Sequence, residues 1–234
     1  MPRITQKQTL LLDADDTLWE NNIYFERAIA QFISYLDHRK HSREEVRECL
    51  NECEALNIQA IGYGLRSFSQ SLVDCFEALS EAPIHDAAHA SILKFAHEIS
   101  VQEIELLPGV ETTLNELAAR HHLILVTKGH PLEQTDKLRR SGLERLFQFV
   151  EVLPEKDAAA YCLIQRKHSL TPELVWMIGN SPKSDINPAL AAGLHAVFVP
   201  HAQTWILEHT DLHQPKAPQQ LIQVEKFADL ANFF

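Results

Sequence analysis

The sequence has few cysteines, and no two of them form a CxxC pair. The 4 cysteines of the 234-residue chain lie at positions 49, 53, 75 and 162, all within segments whose apolar pattern is helical. Without a CxxC pair, the usual zinc-binding signature is absent. Cys49 and Cys53 are one helical turn apart and could hold a metal, but we interpret them as two thiols buried on one helix face.

Long apolar runs are also missing. No run approaches the roughly 18 residues that a transmembrane helix requires. The polar segment 1–8 lacks the apolar centre of a signal peptide. We therefore expect a cytoplasmic protein that has no membrane partner.

Positive charge is scarce relative to negative charge. The chain has 32 Asp and Glu residues against 21 Lys and Arg residues, which gives a formal net charge of -11. Such a surface repels nucleic acid, so we expect no nucleic-acid partner, although a small cationic pocket could still hold one phosphate group. The length permits one domain or a core with a substantial insert, and the sequence gives no indication of the oligomeric state.

Outside residues 19–104, short apolar runs alternate with helical patterns. The first run, Leu10-Leu11-Leu12, ends at carboxylates and is typical of a buried strand. Further strands are predicted at 123–126, 147–152, 175–178 and 196–199, and helices at 110–120, 131–142, 155–167 and 186–192. Strands that alternate with helices indicate an α/β fold with a doubly wound parallel sheet.

Residues 19–104 have a different pattern, in which apolar side chains recur at helical spacing and no strand is predicted. Phe25, Ile29 and Phe32 are an example of this spacing. Breaks near residues 38–41, at Gly62-Tyr63-Gly64 and at Pro83 divide the segment into four or five predicted helices. We therefore predict a core domain from residues 1–18 and 105–234, interrupted by an all-helical domain at 19–104.

Polar residues cluster where three predicted strands end, at 13–17, 127–128 and 180–185. Ligands of such sheets bind at the carboxyl ends of the strands. The first cluster, Asp13-Ala14-Asp15-Asp16, would by itself fit a solvated turn whose acids cap a helix. Its position beside the other two clusters favours a catalytic role instead.

These strand ends resemble the four motifs of the haloacid dehalogenase-like superfamily, in order and across nearly the whole chain. Leu10 to Thr17 is similar to the first motif, a strand followed by DxDxT, and Val126-Thr127 is similar to the second, a strand that ends in Thr or Ser. Lys156 resembles the third motif. Residues 178–185 resemble the fourth, usually GDxxxxD, but Asn180 stands where the first Asp is usual.

The resemblance implies a Rossmann-like core and roles for two aspartates. Asp13 would be a covalent nucleophile that forms an aspartyl phosphate. Asp15 would protonate the leaving oxygen and later activate water. The helical insert resembles a C1-type cap, which closes over the active site and excludes water. Cap-side residues are expected to include Trp19, Asn21, Asn22 and the turn at residues 62–64.

The resemblance also implies phosphate and metal ligands. Thr127 and Lys156 would bind the phosphoryl group, and Lys128 is a rival for the lysine role because it directly follows Thr127. A capping threonine and a helix-capping aspartate are the structural alternatives for Thr127 and Asp185. Because Asn180 offers only a neutral amide oxygen, Asp185 would carry more of the coordination. The implied Mg²⁺ ligands are Asp13, the main-chain carbonyl of Asp15, Asp185 and Asn180.

The activity implied is that of a Mg²⁺-dependent phosphomonoesterase acting on a small phosphorylated metabolite. A haloacid dehalogenase is the nearest alternative, because such enzymes share the aspartate nucleophile and the helical cap. They need no magnesium, however, and lack an acid at the position of Asp15. A phosphomutase uses the same two aspartates, and a catalytically silent binding protein would keep only the fold.

Overall fold

The structure, a computed structural model, describes residues 3–36, 40–80 and 86–234. The chain divides into two compact units, one comprising Met1–Asn22 with Ile104–Phe234 and the other comprising Ile23–Glu103. The first unit is α/β, and the regular elements in the described part of the second unit are all helices. In the described ranges, helices α1 to α8 are Asn22–Leu36, Arg43–Ile61, Leu65–Leu79, Asp86–Ser100, Val110–Ala118, Pro131–Ser141, Ala158–Lys167 and Asn187–Ala191.

A six-stranded parallel sheet forms the centre of the α/β unit. Its order is β3-β2-β1-β4-β5-β6, so β1 lies in the middle and the chain crosses over it between β3 and β4. The doubly wound parallel sheet expected from the sequence is confirmed. Strands β1 to β6 are Thr9–Leu12, His122–Lys128, Phe149–Leu153, Val175–Gly179, His195–Phe198 and Leu221–Gln223.

Both faces of the sheet are buried. Since successive side chains of a strand alternate between the two faces, a strand can contribute to a hydrophobic cluster on either side. Leu10 and Leu12 pack into one hydrophobic cluster together with Trp176, while Leu11 packs into the cluster on the other face with Met177. This double burial explains why the strands were predicted from continuous apolar runs.

Some predicted bounds were wrong by a few residues, and one strand was missed. The third strand begins at Phe149 rather than residue 147, and α7 begins at Ala158 rather than residue 155. The helix predicted at 186–192 is shorter, and a separate wide helical turn, Pro182–Ile186, precedes it. The sixth strand was not predicted because its edge position requires only three residues and one buried side chain, Ile222.

The helical unit contains α2, α3 and α4, together with α1 from residue 23 onward. Its core is built from side chains at helical spacing, among them Ile29, Phe32 and Leu72. The predicted break at residues 62–64 separates α2 from α3, whereas the break predicted at Pro83 lies outside the described residues. Among the described residues, no helix is both long and apolar enough to cross a membrane.

The cysteines of the helical unit are placed as packing residues and not as metal ligands. All four cysteines of the chain are free thiols, and three of them lie in the helical unit, where Cys49 and Cys53 are partly buried beside the core. Burial and the neighbouring Cys49 raise the pKa of Cys53 to about 12, so its thiol stays protonated near neutral pH. A protonated thiol is a poor metal ligand.

Candidate active site

The loops after β1 and β4 bring the first and fourth motifs together. These two strands are parallel neighbours in the sheet, and the order in which successive strands are added reverses between them. The main-chain N–H of Asp13 donates to the carbonyl of Ile178 at 2.9 Å, which continues the pairing beyond the end of β1. Asp13 is thereby fixed at the switch point of the sheet, where α/β proteins of this topology bind ligands.

Lys156 connects two buried carboxylates. Its Nζ lies 2.5 Å from Oδ1 of Asp13 and 2.7 Å from Oδ1 of Asp185, and its side chain is only 2% exposed. Burial alone would lower the pKa of Lys156, but the charges of Asp13 and Asp185 outweigh it and raise that pKa. The lysine therefore stays charged and partly neutralises the two acids.

Asp185 is held by the local backbone of the fourth motif. Its Oδ2 accepts a hydrogen bond from the main-chain N–H of Ser181 at 2.9 Å. A Cβ atom at position 179 would lie 2.2 Å from the same Oδ2, so only glycine leaves room for this carboxylate. Burial and the charge of Asp13 raise the pKa of Asp185 to about 7, despite the opposing effect of Lys156.

Asn180 lies against the same cluster through Thr17. The Thr17 hydroxyl lies 2.9 Å from Oδ2 of Asp13 and 3.3 Å from Oδ1 of Asn180, so it can donate to either oxygen. The amide nitrogen Nδ2 of Asn180 donates to Thr204. The amide oxygen is consequently the end of Asn180 that lies toward Asp13.

The predicted metal ligands fit a hard divalent cation by their chemistry. Asp13, Asp185 and Asn180 supply oxygen donors, which Mg²⁺ prefers. Burial and the nearby charge of Asp13 raise the pKa of Asp185, and a bound cation would oppose both effects by stabilising the charged carboxylate.

Asp15 is held by donors other than those of Asp13. Its carboxylate accepts hydrogen bonds from Nε1 of Trp19 at 2.7 Å, from Nε2 of Gln134 at 3.0 Å and from Nζ of Lys137 at 2.9 and 3.0 Å. Burial by itself would raise the pKa of Asp15, but the charge of Lys137 and these hydrogen bonds lower it. Gln134 and Lys137 were not singled out from the sequence, although their spacing of three residues places them on one face of α6.

The two phosphate-binding lysine candidates have different surroundings. Nζ of Lys128 lies 2.5 Å from Oε1 of Glu208 and 2.9 Å from Oγ of Ser184, whereas Lys156 contacts the aspartates. The other oxygen of Glu208 accepts from Ser181 and Ser184. Lys128 therefore ties the end of β2 to the fourth motif through a buried carboxylate.

Thr127 is 1% exposed at the end of β2, and its hydroxyl donates to Oε1 of Gln134 at 3.3 Å. The cap-side candidates Asn21 and Asn22 also have partners: Oδ1 of Asn21 accepts from Lys137, and Nδ2 of Asn22 donates to the carbonyl of Gln203. Trp19 is fully buried, so its indole serves Asp15 rather than an open surface.

A second group of potential metal ligands lies beside the first motif. Ligand atoms of Asp16, Glu20 and His201 all lie within 4.8 Å of one another. Asp16 has a left-handed backbone, with φ of 60°, and its carboxylate accepts from the main-chain N–H groups of Asn21 and Asn22 at the start of α1. The third acid of the first motif thus accepts hydrogen bonds from N–H groups at the start of a helix, as a capping side chain does.

The site thus joins an acid at the switch point of a parallel sheet, through a buried lysine, to an acid of the loop after the neighbouring strand. The chain belongs to the haloacid dehalogenase-like hydrolases, because the model of that family matches residues 7–193. Members typically use a metal ion. No curated protein matches the chain.

Solved structures share the fold over nearly the whole chain. A haloacid dehalogenase-like family hydrolase from Xanthomonas campestris is 27% identical, with a TM-score of 0.80 over 97% of this chain and 93% of that one. A predicted phosphoglycolate phosphatase from Haemophilus somnus is 21% identical, with a TM-score of 0.61 over 97% and 98%. A 2-haloacid dehalogenase from Pseudomonas syringae is 19% identical, with a TM-score of 0.58 over 97% of each. A predicted phosphatase and a dehalogenase thus both share the fold of this chain.

Proposed function

We propose that this hydrolase is a Mg²⁺-dependent phosphomonoesterase acting on a small phosphorylated metabolite. The observation that carries the proposal is the placement of a second carboxylate, Asp15, two residues after Asp13 and hydrogen bonded to Gln134, which also contacts Thr127. A phosphate ester needs such a group because its leaving alkoxide must be protonated. A halide leaves without a proton.

In the first half-reaction, a carboxylate oxygen of Asp13 attacks phosphorus while the bond to the leaving oxygen breaks. Asp15 donates a proton to that oxygen, so the products are an alcohol and an aspartyl phosphate. The monoanion of a phosphate ester can bring this proton to the site. Lys156 holds Asp13 in place, and its charge offsets the negative charge of the phosphoryl group.

In the second half-reaction, water attacks phosphorus and Asp15 accepts a proton from it. The bond between phosphorus and Asp13 breaks, which releases phosphate and restores the carboxylate. Asp13, Asp15 through its main chain, Asp185 and Asn180 would hold Mg²⁺. When bound, the cation supplies positive charge that neutralises the phosphoryl oxygens.

Haloacid dehalogenation is the second candidate, and the observation in its favour is Asn180. An amide in place of the usual aspartate removes one negative charge from the proposed metal ligands, and dehalogenases need no metal. A phosphomutase would use the same two aspartates and is distinguished by its product, a phosphate ester instead of inorganic phosphate. For its location we propose the cytoplasm, because free thiols such as those of this chain are typical of reducing compartments.

The test is a release assay on the purified full chain. We expect inorganic phosphate to be released from a panel of metabolite phosphates and from an aryl phosphate, and we expect EDTA to stop it. Asp13→Asn should reduce turnover by at least about 10³-fold, since an amide is a poor nucleophile. Chloride release from 2-chloropropionate without Mg²⁺, combined with no phosphate release, would assign the chain to the dehalogenases.

A further inference from the structure

Three donor side chains from two parts of the fold hold the carboxylate of Asp15. Nε1 of Trp19 comes from the loop after β1, whereas Gln134 and Lys137 come from α6. Both carboxylate oxygens are engaged, because Oδ1 accepts from Trp19 and Lys137 while Oδ2 accepts from Gln134 and Lys137. The carboxylate therefore has one orientation imposed on it.

Gln134 couples this carboxylate to the end of β2. Its Nε2 donates to Asp15, and its Oε1 accepts from the hydroxyl of Thr127. Gly129 has φ of +144°, and a Cβ atom there would lie 3.0 Å from Nε2 of Gln134. The turn from β2 into α6 is thus shaped to admit the Gln134 amide, which is itself buried.

Lys137 is distinguished from the other basic residues of α6 by what it contacts. Its Nζ lies within 3.0 Å of both oxygens of Asp15 and 2.7 Å from Oδ1 of Asn21. Its side chain is 21% exposed. Arg139, two residues further along α6, is 66% exposed and pairs with Asp136 on the same helix. Lys137 thus contacts the carboxylate of the first motif, whereas Arg139 pairs with an acid on the exposed surface of its own helix.

We propose that Lys137, together with Gln134, is a positioning residue that aims the Asp15 carboxylate at the leaving oxygen and so determines which leaving groups the enzyme accepts. This inference rests on the phosphomonoesterase function proposed above. Proton transfer requires a heavy-atom separation of about 3 Å, so a carboxylate that rotates freely loses efficiency. The loss matters most for alkyl esters, whose alkoxides are poor leaving groups, and little for aryl esters.

The experiment measures kcat of Lys137→Met on an alkyl and an aryl phosphate with saturating Mg²⁺. We expect a loss of about 10- to 100-fold on the alkyl ester and less than about threefold on the aryl ester. Lys137→Arg keeps the charge and the donors and should recover most of the alkyl-ester activity. Arg139→Met removes a basic side chain from the same helix and should leave both activities unchanged.

A double-mutant cycle separates positioning from general damage to the fold. In an Asp15→Asn background, Lys137→Met should cause no further selective loss, because no acid remains to be aimed. Equal losses on both esters, or full additivity with Asp15→Asn, would overturn the inference while leaving the phosphatase function intact. If the wild type releases no phosphate from any ester, the proposed function itself fails.

Discussion

Asp185 and Glu54 are buried carboxylates in different units, and their surroundings differ. Asp185 is 1% exposed and Glu54 is 6% exposed, and burial raises the pKa of each to about 7. Asp185 accepts from Lys156 and from a main-chain N–H, whereas Oε2 of Glu54 has no hydrogen-bond partner. The buried carboxylate of the α/β unit is thus paired with a lysine, whereas one oxygen of the buried carboxylate in α2 has no hydrogen-bond partner.

That difference predicts which unit tolerates a change of charge. Removing the partner of a compensated buried acid should be costly, because a charge is left alone. Neutralising a poorly compensated acid should instead be stabilising. The following variants test the contrast, from the largest expected effect to the smallest.

Lys156→Met should have the largest effect. It leaves Asp13 and Asp185 buried side by side without their cation, which should lower the free energy of unfolding by about 3–5 kcal/mol and abolish turnover. Urea unfolding measures the first effect and the release assay the second. Lys167→Met is the matched control, because Lys167 also pairs with a carboxylate, Glu151, but its side chain is 63% exposed. The control should change stability by no more than about 1 kcal/mol, and equal losses in the two variants would contradict the comparison.

Glu54→Gln should remove a pH dependence of stability. The folded-state pKa of Glu54 is about 7, above the ordinary value of 4.5, so between these values the folded protein binds more protons than the unfolded chain. Stability contributed by the protonated acid is therefore complete below pH 4.5 and declines as pH rises toward 7, by at most about 3 kcal/mol. At pH 8 the variant should be more stable than the wild type, and at pH 4.5 the two should be similar. Glu48→Gln changes an exposed acid of the same helix and should show no such trend. A difference in stability between the wild type and Glu54→Gln that stays constant from pH 4.5 to pH 8 would refute the prediction.

Asn180→Asp should have the smallest effect, a lower half-saturating Mg²⁺ concentration. At an effective dielectric near ~20, a carboxylate close to a divalent cation gains several kcal/mol before desolvation is subtracted, so we expect a net change of about tenfold. Repulsion by Asp13 and Asp185 opposes this gain. Asn115→Asp adds the same charge on the exposed face of α5 and should leave the Mg²⁺ dependence unchanged. An unchanged value for Asn180→Asp would mean that residue 180 does not face the cation.

The strand ends could be predicted from the sequence because a strand that is buried on both sheet faces is a continuous apolar run, which stops at the polar cluster. Leu10-Leu11-Leu12 before Asp13 and Val175 to Ile178 before Gly179 are such runs. The sixth strand has too short an apolar run to be predicted, since it only extends an existing edge of the sheet.

The partners of the site residues were harder to predict. Contacts such as Gln134 to Asp15 span 119 positions, and Glu208 to Lys128 spans 80. Periodicity reports which face of an element is buried, and it carries no information about which polar side chain meets another across the fold. The spacing of Gln134 and Lys137 was a local signal that they share a face, but only the tertiary structure identifies what that face contacts.

Gly179 illustrates how a site can restrict the divergence of a sequence. Six of the seven glycines have positive φ and are explained by backbone conformation, and Gly179 is the exception. Its constraint is volume alone, since even one methyl group would occupy the space of the Asp185 carboxylate. Position 179 therefore has a single acceptable residue as long as Asp185 is retained. A homologue that carries a larger residue there should have lost or moved that acid, so this one position reports whether a related chain kept the same ionic arrangement.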